Sequence, residues 1–273
     1  MTALTPPRSF ASHVASGSAY DYGAHITGWH PTGQAPVLWM SAASNFEAGL
    51  PIRGGIPICF PWFGPGRTQD RTPIHGYGRV RTWQFVGGDT ADDGTAATWE
   101  LHPTPADVDQ LHVVYRACFG SELRLSFTVT NTGSTSATFE AALHTYFAVS
   151  DIRQIQIEGL EGSQYLDRVA GDNAVQSGPI TFSGETDRVY TSHGRVTLVD
   201  PGNQRRIVIE RNGSANVVVW NPWIAKAAAM PDFGDDEWPG MVCIEAANAL
   251  DDAVALAPGE SHTMTCTVAV ESL

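Results

Sequence analysis

Short alternating runs of apolar and polar residues recur along the chain. Leu123, Leu125, Phe127 and Val129 alternate with Arg124, Ser126, Thr128 and Thr130. That period of two puts one face of a strand in a core and the other in water. After a turn signal at Asn131-Thr132-Gly133, Ala137, Phe139, Ala141, Leu143 and Phe147 share one face of a further strand. Thr138, Glu140, Ala142, His144 and Tyr146 share its other face. Val242, Ile244 and Ala246 oppose Cys243, Glu245 and Ala247 in the same way. Met264, Cys266, Val268 and Val270 mark the apolar face of a last strand over about 261–270. Arg206–Glu210 and Val217–Trp220 flank Asn212-Gly213, a signal of the hairpin type.

Helical signal is confined to one place. Asn221 would be the N-cap, Pro222 the first helical residue and Ala225–Ala229 the body, with Pro231 as the stop. Many short strands between turn signals predict an all-β chain, closed as a sandwich or a barrel. No internal repeat, low-complexity tract or long linker interrupts it, so residues 1–273 read as a single domain, loose over residues 1 to about 10.

Charge narrows the possible partners. The chain carries 29 acidic and 16 basic residues, a net charge of −13, and its only lysine is Lys226. Such a field repels a phosphate backbone, so nucleic acid is not expected as a partner. No apolar run is long enough to cross a membrane as a helix, and Met1–Tyr20 lacks the pattern of a secretory leader. Cys59, Cys118, Cys243 and Cys266 lie far apart among apolar residues without a CxxC pair. They read as buried free thiols in a reducing cytoplasm, where we expect the protein to reside.

Against that background Arg53–Arg81 is exceptional. It holds five arginines and one acid, Asp70, among closely spaced Gly, Pro and aromatic residues, for a local charge of +4. Rigid loops of this kind let a backbone approach a ligand closely, and guanidinium groups offer forked donors to phosphate or carboxylate. A solvated basic loop is the alternative. Two further residues stand out within predicted strands. His144 is in Leu143-His144-Thr145-Tyr146-Phe147, and Glu245 is a lone carboxylate in the apolar run Val242–Ala247. Burial of such a carboxyl raises its pKa toward the range of a general base, unless an arginine or backbone amides satisfy it. His75, His144 and Glu245 form no recognisable metal spacing, so no metal is expected. No GxSxG, Walker or dinucleotide loop occurs. Trp62, Trp83, Trp99, Trp220, Trp223 and Trp238 could stack on a sugar but read first as packing residues.

Five segments occur together in order: Arg53-Gly-Gly-Ile-Pro57 with Phe60-Pro-Trp-Phe-Gly64, His75-Gly-Tyr-Gly-Arg79, Leu143-His-Thr-Tyr-Phe147, Trp220-Asn-Pro-Trp223 with Lys226, and Val242-Cys-Ile-Glu245. In this the chain resembles the hexose-6-phosphate mutarotases (glucose-6-phosphate 1-epimerases) of the aldose 1-epimerase, galactose-mutarotase-like superfamily, from about residue 35 to its end. The resemblance implies a large antiparallel β-sandwich of the supersandwich type, with a cleft on a concave sheet. It implies His144 as catalytic acid and Glu245 as catalytic base. It places Arg53 and Arg79 near a sugar phosphate, His75 in the pocket wall, and Asp187 of Thr186-Asp-Arg-Val-Tyr190 against the sugar. It implies a small-molecule sugar phosphate as partner and no cofactor, with a monomer favoured. Two departures stand out: Tyr77 and Gly78 replace Phe and Ala in the family's HGFAR, and Ile74 stands where some members carry Gln. An epimerase of unphosphorylated sugars and a non-catalytic carbohydrate-binding sandwich are the competing expectations.

Overall fold

The computed structural model describes residues 2–91, 93–104, 107 and 110–273. Among these, two eight-stranded antiparallel sheets carry most of the chain, with a three-stranded sheet from residues 8–31 and a two-stranded ribbon. The first large sheet runs in the order Asp172–Val175, Gln164–Asp167, Thr186–Thr191, Asn216–Asn221, Met241–Asn248, Ala141–Leu143 and Ile58–Cys59; Tyr146–Ala148 also pairs with Met241–Asn248. The second contains Gln156–Glu158, Val196–Asp200, Arg205–Asn212, Ser261–Ser272, Leu123–Asn131, Leu111–Phe119, Gly94–Leu101 and Gln84–Ala91, in that order. One continuous core draws Val217, Val219 and Ile244 from the first sheet, Phe127, Val129, Ile207 and Val268 from the second, and Ile26 and Trp29 from the three-stranded sheet. This is the expected sandwich. The alternation at Leu123–Asn131 holds at every position, with all odd-numbered residues buried. The last strand extends two residues beyond expectation, to Ser272.

Three local expectations are corrected. Asn212-Gly213 is not the turn of a hairpin. Arg205–Asn212 pairs within the second sheet, whereas Asn216–Asn221 pairs within the first, so the chain changes sheets at this turn. An Asn-Gly pair encodes a left-handed turn, and the packing decides which strand is joined. The strand expected across residues 137–147 is three pieces, Ala137–Phe139, Ala141–Leu143 and Tyr146–Ala148. Residues 2–10, expected to be loose, are tied down. Leu4 N donates to Phe46 O at 3.0 Å, Arg8 donates twice to Asp21 at 2.7 and 2.8 Å, and Phe10 is buried.

The helix spans Trp223–Ala229 with Pro222 at its N-cap. Asn221 belongs to the preceding strand, and its Oδ1 accepts from Trp223 N at 2.9 Å, the local task a capping residue performs. All four cysteines are buried and free, as their apolar surroundings predicted. No helix of the described residues is long and apolar enough to cross a membrane.

Candidate active site

A cleft of about 440 Å³ opens on the first large sheet. In an antiparallel ladder directly opposed residues share a face. Asp187 opposes Trp220, and Val218 opposes Glu245, so one face presents all four to the cleft. On the same face Cys59, Ala142, Val189, Val218 and Ala247 form a small apolar cluster with Phe63.

The broken strand places the histidine. Pairing with Met241–Asn248 stops at Leu143 opposite Ala246 and resumes at Tyr146 opposite Cys243. His144 therefore stands opposite Glu245, with its backbone released from the ladder. His144 N donates to Pro57 O at 3.0 Å, and Thr145 N donates to Leu143 O at 2.8 Å. His144 Nε2 lies 3.4 Å from Glu245 Oε1. Glu245 Oε2 and His144 Nδ1 are buried without a protein partner. The ring of His144 stacks on Tyr146 at 4.9 Å and meets the edge of His75 at 5.6 Å.

The loop residues arrive by close backbone contacts. His75 N donates to Gly64 O at 2.7 Å, while His75 Nδ1 accepts from Gly64 N at 3.1 Å. The proton of the neutral His75 ring is thereby placed on Nε2. Phe60 N donates to His75 O at 3.1 Å, and Gly78 N donates to Phe60 O at 2.9 Å. Gly76 sits at φ +74°, where a Cβ would come within 2.1 Å of Phe60 O, so the turn that presents His75 requires glycine. Gly78 is buried and held at both its N–H and its carbonyl, which accepts from Trp83 Nε1 at 2.8 Å.

The arginine island divides in two. Arg53 and Arg79 line the cleft. Arg67, Arg71 and Arg81 line a separate cavity of about 830 Å³ with Trp62, Tyr77 and Glu140. Arg53 is already engaged, since Nη1 donates to Tyr146 Oη at 3.0 Å and Nη2 lies 3.1 Å from both oxygens of Asp232. Arg79 Nη2 donates to Ile74 O at 2.7 Å, and among the described residues Arg79 makes no ion pair with a carboxylate. Two more cations border the cleft. Arg168 Nη1 lies 3.7 Å from Asp187 Oδ1, and Lys226 Nζ lies 2.8 Å from Glu185 Oε1. The sequence reading passed over Arg168, which sits in an ordinary loop after Asp167 with no motif around it. It also passed over Asp232, which holds Arg53.

Burial and the arginines set the protonation of the facing pair. Desolvation, and then the charges of Arg79 and Arg53, push His144 down to about 3. Desolvation, and then Asp187, push Glu245 well above the usual carboxyl range. Burial therefore favours the uncharged form of each partner. Desolvation here outweighs the attraction that would hold the two as an ion pair. Desolvation also raises the pKa of Asp187 and lowers that of His75 well below the ordinary imidazole value. The donor atoms that cluster within 4.8 Å belong to His144, Cys243 and Glu245, so Cys243 stands where His75 was considered. Burial pushes the Cys243 thiol up, which keeps it protonated and a poor metal ligand.

The model of the aldose 1-epimerase family matches residues 11–269. A protein of Escherichia coli named "Putative glucose-6-phosphate 1-epimerase" is 36% identical, over 83% of this chain and 78% of its own. One of Cenchrus ciliaris with the same name is 34% identical, over 88% of this chain and 77% of its own. The crystal structure of a putative mutarotase from Salmonella typhimurium superposes with a TM-score of 0.89 at 29% identity, covering 97% of this chain and 90% of its own. A galactose mutarotase-like protein from Lactobacillus casei shares the fold at a TM-score of 0.76 and 14% identity, over 97% of this chain and all of its own, 100%.

Proposed function

The chain belongs to the aldose 1-epimerase family, and from that premise we propose that it interconverts the α and β anomers of a hexose 6-phosphate, glucose 6-phosphate foremost. The observation that carries this reading is the facing pair, His144 Nε2 at 3.4 Å from Glu245 Oε1, on the floor of a cleft bordered by Arg53, Arg79, Arg168 and Lys226.

Anomer exchange needs a base at the C1 hydroxyl and an acid at the ring oxygen. Glu245 takes the hydroxyl proton, His144 delivers one to O5, and the C1–O5 bond breaks to leave the aldehyde. Rotation about C1–C2 presents the opposite face of the carbonyl. Closure returns both protons. Each positioned group contributes about 10²–10⁴-fold.

The working pair, ionised Glu245 and protonated His144, has the same number of protons as the uncharged pair that burial favours. One proton has only to move from Glu245 to His144. Arg79 and Arg53 oppose the cationic imidazole, and Arg53 acts on His144 without acting appreciably on Glu245. A phosphate dianion against these arginines cancels that opposition. Substrate binding then prepares the acid and the base together. Arg79, with no carboxylate partner, supplies the principal phosphate contact, and Arg53 supports it. Asp187 and His75 hold the sugar hydroxyls. Remote binding at the phosphate thus fixes the ring above the pair.

An epimerase of free sugars would use the same pair, and the engagement of Arg53 by Asp232 speaks for that alternative. Exchange NMR decides between them. We expect anomer exchange of glucose 6-phosphate to outrun both the buffer rate and the exchange of glucose. Equal acceleration of the two sugars would leave the epimerase and remove the phosphate. Acceleration of neither would remove the enzyme.

A further inference from the structure

On the second large sheet, between Arg79 and His144 in sequence, two imidazoles and a carboxylate converge. The strands Gly94–Leu101 and Leu111–Phe119 pair with Glu100 opposite Val114 and Leu101 opposite Val113. Continued by one step, that register sets His102 opposite His112. Leu101, Leu111 and Val113 are buried, so the residues that alternate with them, Glu100, His102 and His112, project from the outer face. The two rings stack at 4.6 Å with their planes 18° apart. His102 Nε2 lies 3.0 Å, and His112 Nε2 3.4 Å, from the same oxygen, Glu100 Oε2.

We propose that Glu100, His102 and His112 form a site for a divalent transition ion of the zinc type. Three features support it. The donor atoms lie within 4.8 Å of one another. Zinc with nitrogen and oxygen ligands at about 2.0–2.2 Å in tetrahedral array holds those atoms roughly 3.3–3.5 Å apart, so the separations suit the ion once the stacked rings turn their nitrogens toward a common point. Second, among the described residues no lysine or arginine pairs with Glu100. Its cross-strand neighbours are Gln84 and Val114, and Thr130 opposes His112. Asp89, Asp93 and Asp107, in contrast, are each paired with an arginine. Third, the site is open, with side-chain exposures of 56% for His102, 23% for His112 and 27% for Glu100, so an ion can enter and water can complete its shell. The chain's net charge of −13 attracts a dication over distance. Imidazole and carboxylate together select borderline ions over calcium or magnesium. A bound ion would join the end of one strand to the start of the next across the connection that separates them.

Titration calorimetry of the tag-free chain with zinc chloride tests the site. The expected result is one zinc per chain. His102→Ala and His112→Ala should each weaken that binding at least about tenfold, since even outer-shell partners of a metal are worth that much. His144→Gln should leave it unchanged, which separates the site from the donor cluster in the cleft. In NMR spectra of the native chain, zinc should shift the ring resonances of His102 and His112 together. Absence of saturable binding up to about 0.1 mM zinc, a threshold near the weak end of specific affinity, would overturn the proposal. So would unchanged affinity in both alanine variants, or ring resonances of both histidines that zinc leaves in place.

Discussion

His144 stands directly opposite Glu245 across an interrupted antiparallel ladder, 3.4 Å apart, and burial favours the uncharged form of each. If the two act as one unit, removing either should stop turnover. Glu245→Gln should keep sugar-phosphate binding and lose about 10²–10⁴ in kcat. His144→Gln should lose a similar factor, and the double variant little more, because partners in one proton relay are not additive. Exchange NMR with glucose 6-phosphate measures all three. A fully active Glu245→Gln enzyme would remove the assignment.

The pH profile follows from the same pair. His144 gains its extra proton only near pH 3, and Glu245 gives up its own well above the usual carboxyl range. Between those limits the pair keeps one mobile proton. The enzyme's contribution to kcat/KM should therefore fall on the alkaline side as Glu245 ionises without a protonated partner. No inflection at the ordinary imidazole value of about 6.5 should belong to His144. Rates from acid to alkaline pH, corrected for the ionisation of the substrate phosphate, provide the check. A fall centred near 6.5 that His144→Gln abolishes would contradict it.

Arg79 and Arg53 should separate kinetically. Among the described residues Arg79 has no carboxylate partner, so Arg79→Ala should chiefly raise KM for glucose 6-phosphate and lower kcat/KM about 10–100-fold, the worth of a lost charge-assisted contact. Activity on glucose should change little. Arg53 also holds Tyr146, on which His144 stacks, and leaves Asp232 unpaired when removed. Arg53→Ala should therefore lower kcat on both sugars as well as raise KM. Identical kinetic signatures for the two variants would refute this division of roles.

Two glycines three residues or fewer from His75 should behave differently. Gly76→Ala forces a left-handed φ of +74° on alanine and drives its Cβ to 2.1 Å from Phe60 O. We expect a loss of more than about 2 kcal/mol in urea unfolding, together with lower activity. Gly78 has no such φ, and its added Cβ would meet Phe60 Cβ at 3.2 Å, so Gly78→Ala should cost less than about 1 kcal/mol. Equal losses would show that backbone conformation is not what Gly76 provides.

How far the chain could be read in advance depended on whether a residue's surroundings lay nearby in sequence. Glu245 was conspicuous because its neighbours on both sides are apolar, and His144 because it shares a face with Tyr146. Their separation of 3.4 Å was not legible, since it depends on pairing between strands about a hundred residues apart. Charge counting located the basic segment but could not show that Arg67, Arg71 and Arg81 face a different cavity from Arg53 and Arg79. Arg168 and Asp232 carry no local signal and become visible only beside Asp187 and Arg53. The turn at Asn212-Gly213 was read correctly as a turn, but its partner strands were chosen by the two-sheet packing.

A buried histidine outside the pair should contribute to acid sensitivity. His25 is fully buried, with Nε2 2.8 Å from Gly54 O and Nδ1 unpartnered. Burial pushes its pKa down to about 4, against a smaller opposing effect of the Gly54 carbonyl, with Arg79 adding to the fall. The unfolded chain takes up this proton near the ordinary value of about 6.5, while the folded chain refuses it until about pH 4. Between those values the unfolded state binds the His25 proton and the folded state does not, so the His25 contribution to stability falls as pH falls and levels off below about 4, while the raised pKa of Glu245 acts in the opposite sense. A shift from 6.5 to about 4 corresponds to about 3 kcal/mol. His144 adds a loss of the same sign that continues to lower pH. His25→Asn retains a side-chain N–H but cannot titrate. Urea unfolding at several values between pH 7 and pH 4.5 should therefore show a shallower decline for His25→Asn than for the native chain, whatever its absolute stability. Parallel declines would assign the acid sensitivity to other groups.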